Sequence, residues 1–229
     1  MTREAVPEGF TIGAWNSTQG IRRIRRGCVF GIMELILASK SPRRRQLLEQ
    51  MGLQFRVLTA QTDETMDPAK PVEQEIGRVS RLKAEAVRTQ AGADALIIAA
   101  DTLVCIDGER LGKPGTEQEA CAMLRRLSGR DHVVLTGVSV LCGQRVETFT
   151  ETTKIHFRDL TDVEIRAYVA TGEPMDKAGA YGVQGLAGMF VSAMNGDYYN
   201  VMGLPICRLT QVLRSFGIPV LGQGAAETD

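Results

Sequence analysis

The sequence predicts an α/β fold in which helices flank a mixed central β-sheet. Short apolar runs alternate with helical patterns in the first half of the chain, as expected for strands joined by helices. Two long segments around residues 142–144 then read as an antiparallel pair. No repeat of about 20–50 residues interrupts this order. The combination favours one mixed sheet.

The first strand and helix are predicted from a sharp change of pattern. Leu35–Ala38 is a short apolar run typical of a buried strand. Ser41 then suits a helix N-cap, because its hydroxyl can accept from a free backbone N–H, and Pro42 suits the first helical position. After this helix, Leu53–Leu58 alternates like a half-buried strand.

The next predicted elements are a helix and two strands, and the polar pair Asp101-Thr102 lies between the two strands. Pro71 opens a helix to about Gln90, with apolar residues at helical spacing. Ala95–Ala100 is an apolar run typical of a central strand. We expect Asp101 to close this strand and Leu103–Ile106 to form a separate one.

The second half of the chain carries a helix, the antiparallel pair and a glycine-rich loop. Glu117 and Glu119 lie in the first turn of the helix that starts at Thr116. Thr161–Glu164 caps a second predicted helix, which ends at Thr171 and Gly172. The remaining predicted elements are a helix Thr116–Leu127, strands His132–Leu141 and Glu147–Phe157, a helix from Thr161, a loop Gly179–Gly185, a strand Met189–Ala193 and a helix Leu204–Phe216.

Composition argues against several classes of partner. The chain has 27 basic and 27 acidic side chains and 44% hydrophobic residues. A neutral balance does not suit a general nucleic-acid or membrane-surface role, and no apolar run approaches the ~18 residues of a membrane span. We therefore expect no nucleic-acid and no membrane partner.

Cysteine and histidine usage also narrows the possibilities. An odd number of scattered cysteines without a CxxC pair predicts reduced thiols and a cytoplasmic location. His132 and His156 are the only histidines, far apart in sequence, which disfavours a histidine metal site or a Ser-His-Asp triad. The five cysteines are Cys28, Cys105, Cys121, Cys142 and Cys207.

Both ends of the chain are expected to lie outside the fold. Residues 1–32 lack periodicity and carry an arginine cluster, so we expect a disordered N-terminal extension, with Met33 a natural initiator. The alternative is a genuine but poorly ordered arm. The predicted domain spans residues 33–218, and residues 219–229 are expected to be a flexible tail.

The stretch from Ser39 to Arg45 is a candidate polyanion site. It combines a helix N-terminus, hydroxyls and three arginines. The helix N-terminus and the arginines suit phosphate oxygens. The alternative is a solvated basic first turn. Walker and dinucleotide motifs fail, because Gly108–Pro114 has the wrong spacing and Gly179, Gly182 and Gly185 read GxxGxxG.

Other polar candidates lie at the ends of predicted elements. Each has a plain alternative: a turn residue for Asp101, a solvated loop charge for Glu64 and a surface lysine for Lys83. Lys113 lies between Gly112 and Pro114, and Gln184 lies in the glycine-rich loop. Carboxylates can hold Mg²⁺ or activate water, and cations can neutralise phosphate. Attack by water on a phosphoanhydride is the simplest chemistry for this set.

Six ordered blocks together resemble the Maf family of nucleoside triphosphate pyrophosphatases. The resemblance covers about residues 33–217. The blocks are Ser39–Arg44, Ala99–Thr102, Gly112–Pro114, Leu127–Gly129, Gly172–Gly179 and Tyr181–Gly185.

The resemblance implies the fold of inosine triphosphate pyrophosphatases, with two lobes and a nucleotide cleft, and a homodimer. It implies a divalent cation, Mg²⁺ or Mn²⁺, and release of a nucleoside monophosphate and pyrophosphate. It assigns the general base to Asp101 and the metal to Glu64 and Asp101, with Lys83 completing the catalytic set. The implied substrate-binding residues are Ser39, Arg43, Arg44, Lys113 and Gln184.

Arg44, Lys113 and Gln184 resemble the dTTP and UTP branch of the family rather than the 7-methyl-GTP branch. Modified pyrimidine triphosphates are a possible extension of that range. A different class of function is a nucleotide-binding regulator of cell division or septum formation with incidental hydrolysis. A phosphosugar or small-anion enzyme is disfavoured, because no nucleophile has a clear partner.

Overall fold

A computed structural model describes residues 33–220, and these form a mixed seven-stranded sheet flanked by helices. The strands are β1 Leu35–Leu37, β2 Arg56–Val57, β3 Leu96–Ile106, β4 Glu109–Leu111, β5 Asp131–Cys142, β6 Arg145–Phe157 and β7 Val191–Asn195. The helices are α1 Pro42–Gln50, α2 Val72–Val87, α3 Glu117–Leu127, α4 Asp162–Val169, α5 Tyr198–Met202 and α6 Ile206–Ser215.

The sheet runs in the order β2-β1-β3-β5-β6-β7, with β4 paired to β3 at the side. β1 is parallel to β2 and to β3, while the ladders from β3 through β5 and β6 to β7 are antiparallel. The predicted α/β class with a mixed sheet is therefore confirmed. The expected N-terminal extension, residues 1–32, and residues 221–229 of the tail predicted for 219–229 lie outside the described residues. Val220, within that predicted tail, is 4% exposed and belongs to the core.

Both faces of the sheet carry buried apolar side chains. Successive strand residues point to opposite faces, so a single strand contributes to the cores on both sides. Leu35 and Leu37 of β1 join the core formed with α1 and α6, whereas Ile36 faces α2. Gly137 of β5 lets α2 approach closely: a Cβ at this position would lie 2.4 Å from the carbonyl oxygen of Ile76. α2 therefore lies directly on the sheet and presents its inner flank to β3.

The prediction that Asp101 closes a strand is wrong. β3 runs without interruption through Asp101 and Thr102, which pair with Gly137 and Thr136 of β5. The antiparallel ladder to β5 continues across the polar pair, so the backbone stays extended while the two side chains leave on opposite faces. Asp101 is therefore held in the middle of a strand of 11 residues, a rigid position for a functional group.

Local signals located most helices correctly. Ser41 caps α1 and Thr116 caps α3, and Thr161 with Glu164 forms a reciprocal capping box at α4. The last helix begins at Ile206 instead of Leu204, directly after Pro205. Across residues 33–220, no helix is long and apolar enough to cross a membrane.

Two further predicted strands differ from the structure in extent or position. β2 contains only Arg56 and Val57, because only these two residues of the alternating run pair with β1. Leu186–Phe190 forms a 3-10 turn, which moves β7 two residues beyond its predicted start. The short helix α5 was not predicted.

Four of the cysteines are described and all four are free thiols; Cys28 lies outside this range.

Candidate functional site

A cleft of about 990 Å³ brings the predicted site residues together. Its walls come from the β1–α1 connection, the loop before α2, the middle of β3 and the segment 176–184. All eight residues singled out from the sequence line it: Ser39, Arg43, Arg44, Glu64, Lys83, Asp101, Lys113 and Gln184.

The start of α1 forms a cationic wall of the cleft. The Ser41 hydroxyl accepts from the Arg44 backbone N–H at 3.5 Å, and the Ser39 hydroxyl accepts from the Ser41 N–H at 3.2 Å. No acidic residue lies in the first turn, where the helix dipole favours negative charge. Arg43 reaches across the cleft, with Nη1 3.4 Å from Asp176 Oδ2. This helix start is therefore suited to an anion.

Arg44 is buried, with 9% of its surface exposed, and its guanidinium is fixed by neutral oxygens. Nε donates to the Gly203 carbonyl at 2.7 Å, Nη1 to Ser39 Oγ at 3.2 Å and Nη2 to Thr102 Oγ1 at 2.9 Å. These contacts engage three of its donors and leave further N–H groups free for a ligand. Burial lowers the pKa of Arg44, while nearby Asp101 opposes that shift.

The residues that bind the Arg44 guanidinium belong to a buried hydrogen-bond network. Thr102 and Thr136 share a hydrogen bond of 3.0 Å, and Thr136 donates to the Asn200 carbonyl at 2.9 Å. Asn200 lies in α5, and Gly203 ends that helix with φ +104°. A Cβ on Gly203 would lie 3.2 Å from Thr102 Oγ1 and 3.4 Å from Arg44 Nε. α5 therefore positions Arg44 through a close backbone approach.

Lys83 joins the two predicted carboxylates. Its Nζ donates to Asp101 Oδ1 at 2.6 Å and lies 2.9 Å from Glu64 Oε2. Lys83 and Asp101 are each 17% exposed, whereas Glu64 is 54% exposed. Lys83 therefore points from α2 toward the sheet and is not a solvated surface lysine. One ammonium between two carboxylates leaves a net negative charge at this point.

The donor set suits a divalent cation only in part. Among residues 33–220, no group of three or more histidine, cysteine or acidic side chains could enclose a metal. Glu64 and Asp101 nevertheless offer two carboxylates at one place. Mg²⁺ commonly uses one or two carboxylates together with water and substrate phosphates. The residues therefore fit a metal that binds with its phosphate ligand.

The loop that carries Glu64 is anchored from α2. Glu75 is 2% exposed; Arg78 donates to its carboxylate at 2.8 Å, and the Asp67 backbone N–H does so at the same distance. Arg78 also donates to the Thr65 carbonyl at 2.7 Å. Hydrogen bonds from Arg78 and the Asp67 N–H lower the pKa of Glu75 to about 2. This anchor was not predicted.

The loop that carries Gln184 rests on Glu173 and Tyr168. The Tyr168 hydroxyl donates to Glu173 Oε1 at 2.9 Å and accepts from the Gly182 N–H at 3.3 Å. Glu173 Oε2 accepts from the Leu186 N–H at 3.1 Å. Both sides of Gln184 are thereby tied to one carboxylate and one phenol, which limits where its amide can lie.

Three further charged residues line the cleft and had no assigned role: Lys40, Asp176 and Lys177. Lys177 donates to Asp176 Oδ1 and to the Glu173 carbonyl, each at 2.6 Å. Asp176 and Lys177 both lie in the block Gly172–Gly179, so their place in that block was the available signal. Lys113 also lines the cleft, and its neighbour Gly112 accepts from the Gly179 N–H at 3.0 Å.

The arrangement combines cations that can hold a polyphosphate with a carboxylate that can accept a proton from water. Arg43, Lys113 and the start of α1 lie in the same cleft as Asp101 and Glu64. Positive charge neutralises phosphate oxygens, and a fixed carboxylate beside them can act as a base. The chemistry that fits is hydrolysis of a phosphoanhydride.

Known proteins resemble the chain over nearly all described residues. The family model described as "Maf-like protein" matches residues 34–216. A protein of Halalkalibacterium halodurans named dTTP/UTP pyrophosphatase is 52% identical over 183 residues, which are 80% of this chain and 96% of that protein. A protein of the same name from Pelotomaculum thermopropionicum is 50% identical over 194 residues, 82% of this chain and 99% of its own.

The chain is also similar to a solved structure. The Ham1 protein of Staphylococcus aureus covers 80% of this chain and 99% of its own length, with 15% sequence identity and a TM-score of 0.47.

Proposed function

Because the chain belongs to the Maf family, we propose that it hydrolyses dTTP and UTP to the monophosphate and pyrophosphate. The observation that carries the proposal is the contact of Lys83 with Asp101 and Glu64 at 2.6 and 2.9 Å, in the same cleft as Arg43 and Arg44. Two relatives about half identical to the chain carry the name of this activity, which supports the same substrates here.

The cations bind and orient the triphosphate. Arg43, Lys113 and the Ser39 hydroxyl contact phosphate oxygens, since charge-assisted hydrogen bonds to such oxygens are the strong ones. Arg44 supplies a fixed positive charge at the wall of the cleft, because protein oxygens hold its guanidinium in place. Gln184 and its anchored loop contact the nucleoside end and support pyrimidine selection.

Asp101 is the general base. Water attacks phosphorus as its proton moves to a carboxylate oxygen of Asp101; the bond between the α- and β-phosphates breaks, and pyrophosphate leaves with its electron pair. Lys83 orients the Asp101 carboxylate for this proton transfer. The strand position of Asp101 fixes its distance from the ligand.

A divalent ion, Mg²⁺ or Mn²⁺, is part of the proposal. Glu64 and Asp101 would hold it, and the ion would neutralise charge on the phosphate oxygens as the bond breaks. Lys83 stabilises the two carboxylates beside each other when their charge would otherwise repel. We also propose a cytoplasmic location and a homodimer, and modified pyrimidine triphosphates as additional substrates.

The test is product analysis after incubation with MgCl₂ and dTTP. The expected products are dTMP and pyrophosphate in equal amounts. Formation of dTDP and phosphate would contradict the proposed bond cleavage. Tight dTTP binding without turnover would favour the regulatory alternative, a nucleotide-binding regulator of cell division. A panel of UTP, modified pyrimidine and purine triphosphates, scored by pyrophosphate release, then ranks the substrates.

A further inference from the structure

Asp176 is an acidic side chain in a cleft whose proposed ligand is an anion. Its carboxylate contacts two cations: Arg43 Nη1 lies 3.4 Å from Oδ2, and Lys177 Nζ donates to Oδ1 at 2.6 Å. All three residues line the cleft. Arg43 and Asp176 are 133 positions apart in sequence. One carboxylate thus joins an arginine of α1 to a lysine from the opposite wall.

The position occupied by Asp176 suits a phosphate group. Arginine and lysine are the side chains that bind phosphate oxygens, the first as a planar fork and the second as a point charge. Arg43 also lies in the first turn of α1, where the helix N-terminus favours negative charge and no acidic side chain of the helix supplies it. Asp176 supplies that negative charge from a distant part of the chain.

The contact between Asp176 and Arg43 is easily exchanged. The Asp176 side chain is 61% exposed and that of Arg43 is 27% exposed, and exposed ion pairs contribute little free energy. Partial burial raises the pKa of Asp176, but hydrogen bonds and charge from Lys177, and then Arg43, lower it overall. The carboxylate is therefore ionised at neutral pH, and it competes with any phosphate for the same two cations.

The methylene groups of the Lys177 side chain pack against Gly182 and hold this side chain in place. A Cβ on Gly182 would lie 2.5 Å from Lys177 Cε and 2.7 Å from Cδ, so the lysine chain passes directly over this glycine. Only 14% of the Lys177 side chain is exposed. The ammonium group is thus presented to the cleft by a packed methylene chain, which limits the entropy lost when it binds a ligand.

We propose that Lys177 is a further phosphate-binding residue of the cleft and that Asp176 is its internal competitor. When a polyphosphate binds, it replaces the carboxylate on Arg43 and Lys177. The proposal rests on the proposed function for the identity of the ligand, a nucleoside triphosphate or its pyrophosphate product. The exchange itself needs only a phosphate-bearing ligand.

The test titrates inorganic pyrophosphate into the full-length protein by calorimetry, with MgCl₂ and in a parallel series with EDTA. The variants are Asp176→Asn, Lys177→Met and the double variant. Methionine keeps the packed stem of Lys177 without its charge. We expect Asp176→Asn to bind about three- to tenfold more tightly, since a competing ion pair and a like charge are removed. Lys177→Met should bind about three- to tenfold more weakly in both backgrounds.

A matched control removes the same charge outside the cleft. Asp107→Asn breaks an exposed ion pair with Arg130 of 2.6 Å, and asparagine suits the positive φ of this turn position. Its pyrophosphate affinity should stay within about twofold of the wild type. Thermal unfolding of every variant checks that the fold is intact.

Two outcomes would overturn the proposal. Equal affinities of wild type and Asp176→Asn, or no measurable binding by either, would exclude competition by Asp176. A Lys177→Met effect that disappears in the Asp176→Asn background would show that Lys177 only neutralises Asp176. Hydrolysis of dTTP is measured separately: absent turnover with the expected affinities refutes the proposed function alone, and normal turnover with unchanged affinities refutes the exchange alone.

Discussion

The buried side chain of His132, which contacts the cleft residue Tyr181, makes the stability of the fold sensitive to acid. Its ring is 3% exposed; Nε2 and the Tyr181 hydroxyl lie 2.8 Å apart, and Phe157 packs edge-on at 4.9 Å between ring centroids. Tyr181 lines the cleft in the same loop as Gln184. Burial lowers the pKa of His132 to about 4, so this histidine is neutral in the folded protein at neutral pH.

The lowered pKa predicts a loss of stability on acidification. The unfolded chain takes up the proton near pH 6.5, whereas the folded chain resists it until about pH 4. The unfolded state therefore binds more protons between these values, and the free energy of unfolding falls as the pH falls through this window. The His132 contribution reaches about 2 kcal/mol between pH 7 and pH 5.

The assay compares urea unfolding at pH 7 and pH 5 for the wild type, His132→Gln and His156→Gln. Glutamine in place of His132 lacks the titrating ring, so the stability difference between the two pH values should shrink by about 2 kcal/mol. His156 has a 43% exposed side chain and contacts Asp131 on the surface, and its replacement controls for the loss of a histidine. A His132→Gln protein that loses as much stability as the wild type would refute the reasoning.

Three further predictions concern the cleft. Asp101→Asn should lower kcat for pyrophosphate release by at least about 10²–10³-fold with an unchanged melting temperature; near-normal turnover would remove Asp101 as the base. Gly203→Ala should lower the free energy of urea unfolding by about 1–3 kcal/mol and raise KM for dTTP, because its Cβ crowds Arg44 at φ +104°. Gly217→Ala, at φ +80° in open space, is its matched control, and an equal KM in both variants would contradict the Arg44 argument. Tyr168→Phe should raise KM for dTTP about five- to tenfold with little change in kcat, because the loop around Gln184 loses its phenol anchor; the exposed Tyr198→Phe is its control, and a fall in kcat alone would contradict a positioning role.

Features set by neighbouring residues could be predicted from the sequence. Ser41 and Pro42 identify the start of α1, because a helix N-terminus requires a hydrogen-bond acceptor and tolerates proline. Thr161 and Glu164 satisfy each other's backbone groups within one turn. Such interactions depend on residues three or four positions apart, so the order of residue types contains them.

Features set by distant pairing could not be predicted in this way. The polar pair Asp101–Thr102 suggests a strand end, yet the ladder to β5 keeps β3 extended through it. α5 has only five residues, too few for a helical pattern, although Asp197 as N-cap and Gly203 at its end were available signals. The ion pair of Arg43 with Asp176 joins positions 133 apart, and no local pattern records it.

The two adjacent arginines of α1 differ in how their charge is compensated. Arg44 contacts one carbonyl and two hydroxyls, so its direct partners fix the guanidinium without cancelling its charge. Arg43 contacts a carboxylate that is largely exposed. A fixed, buried charge contributes a constant attraction for phosphate, because no partner must leave first. A charge paired with an exposed carboxylate contributes only after exchange. Replacing Arg44 should therefore cost more affinity for a polyphosphate than replacing Arg43, although Arg43 is the more accessible side chain.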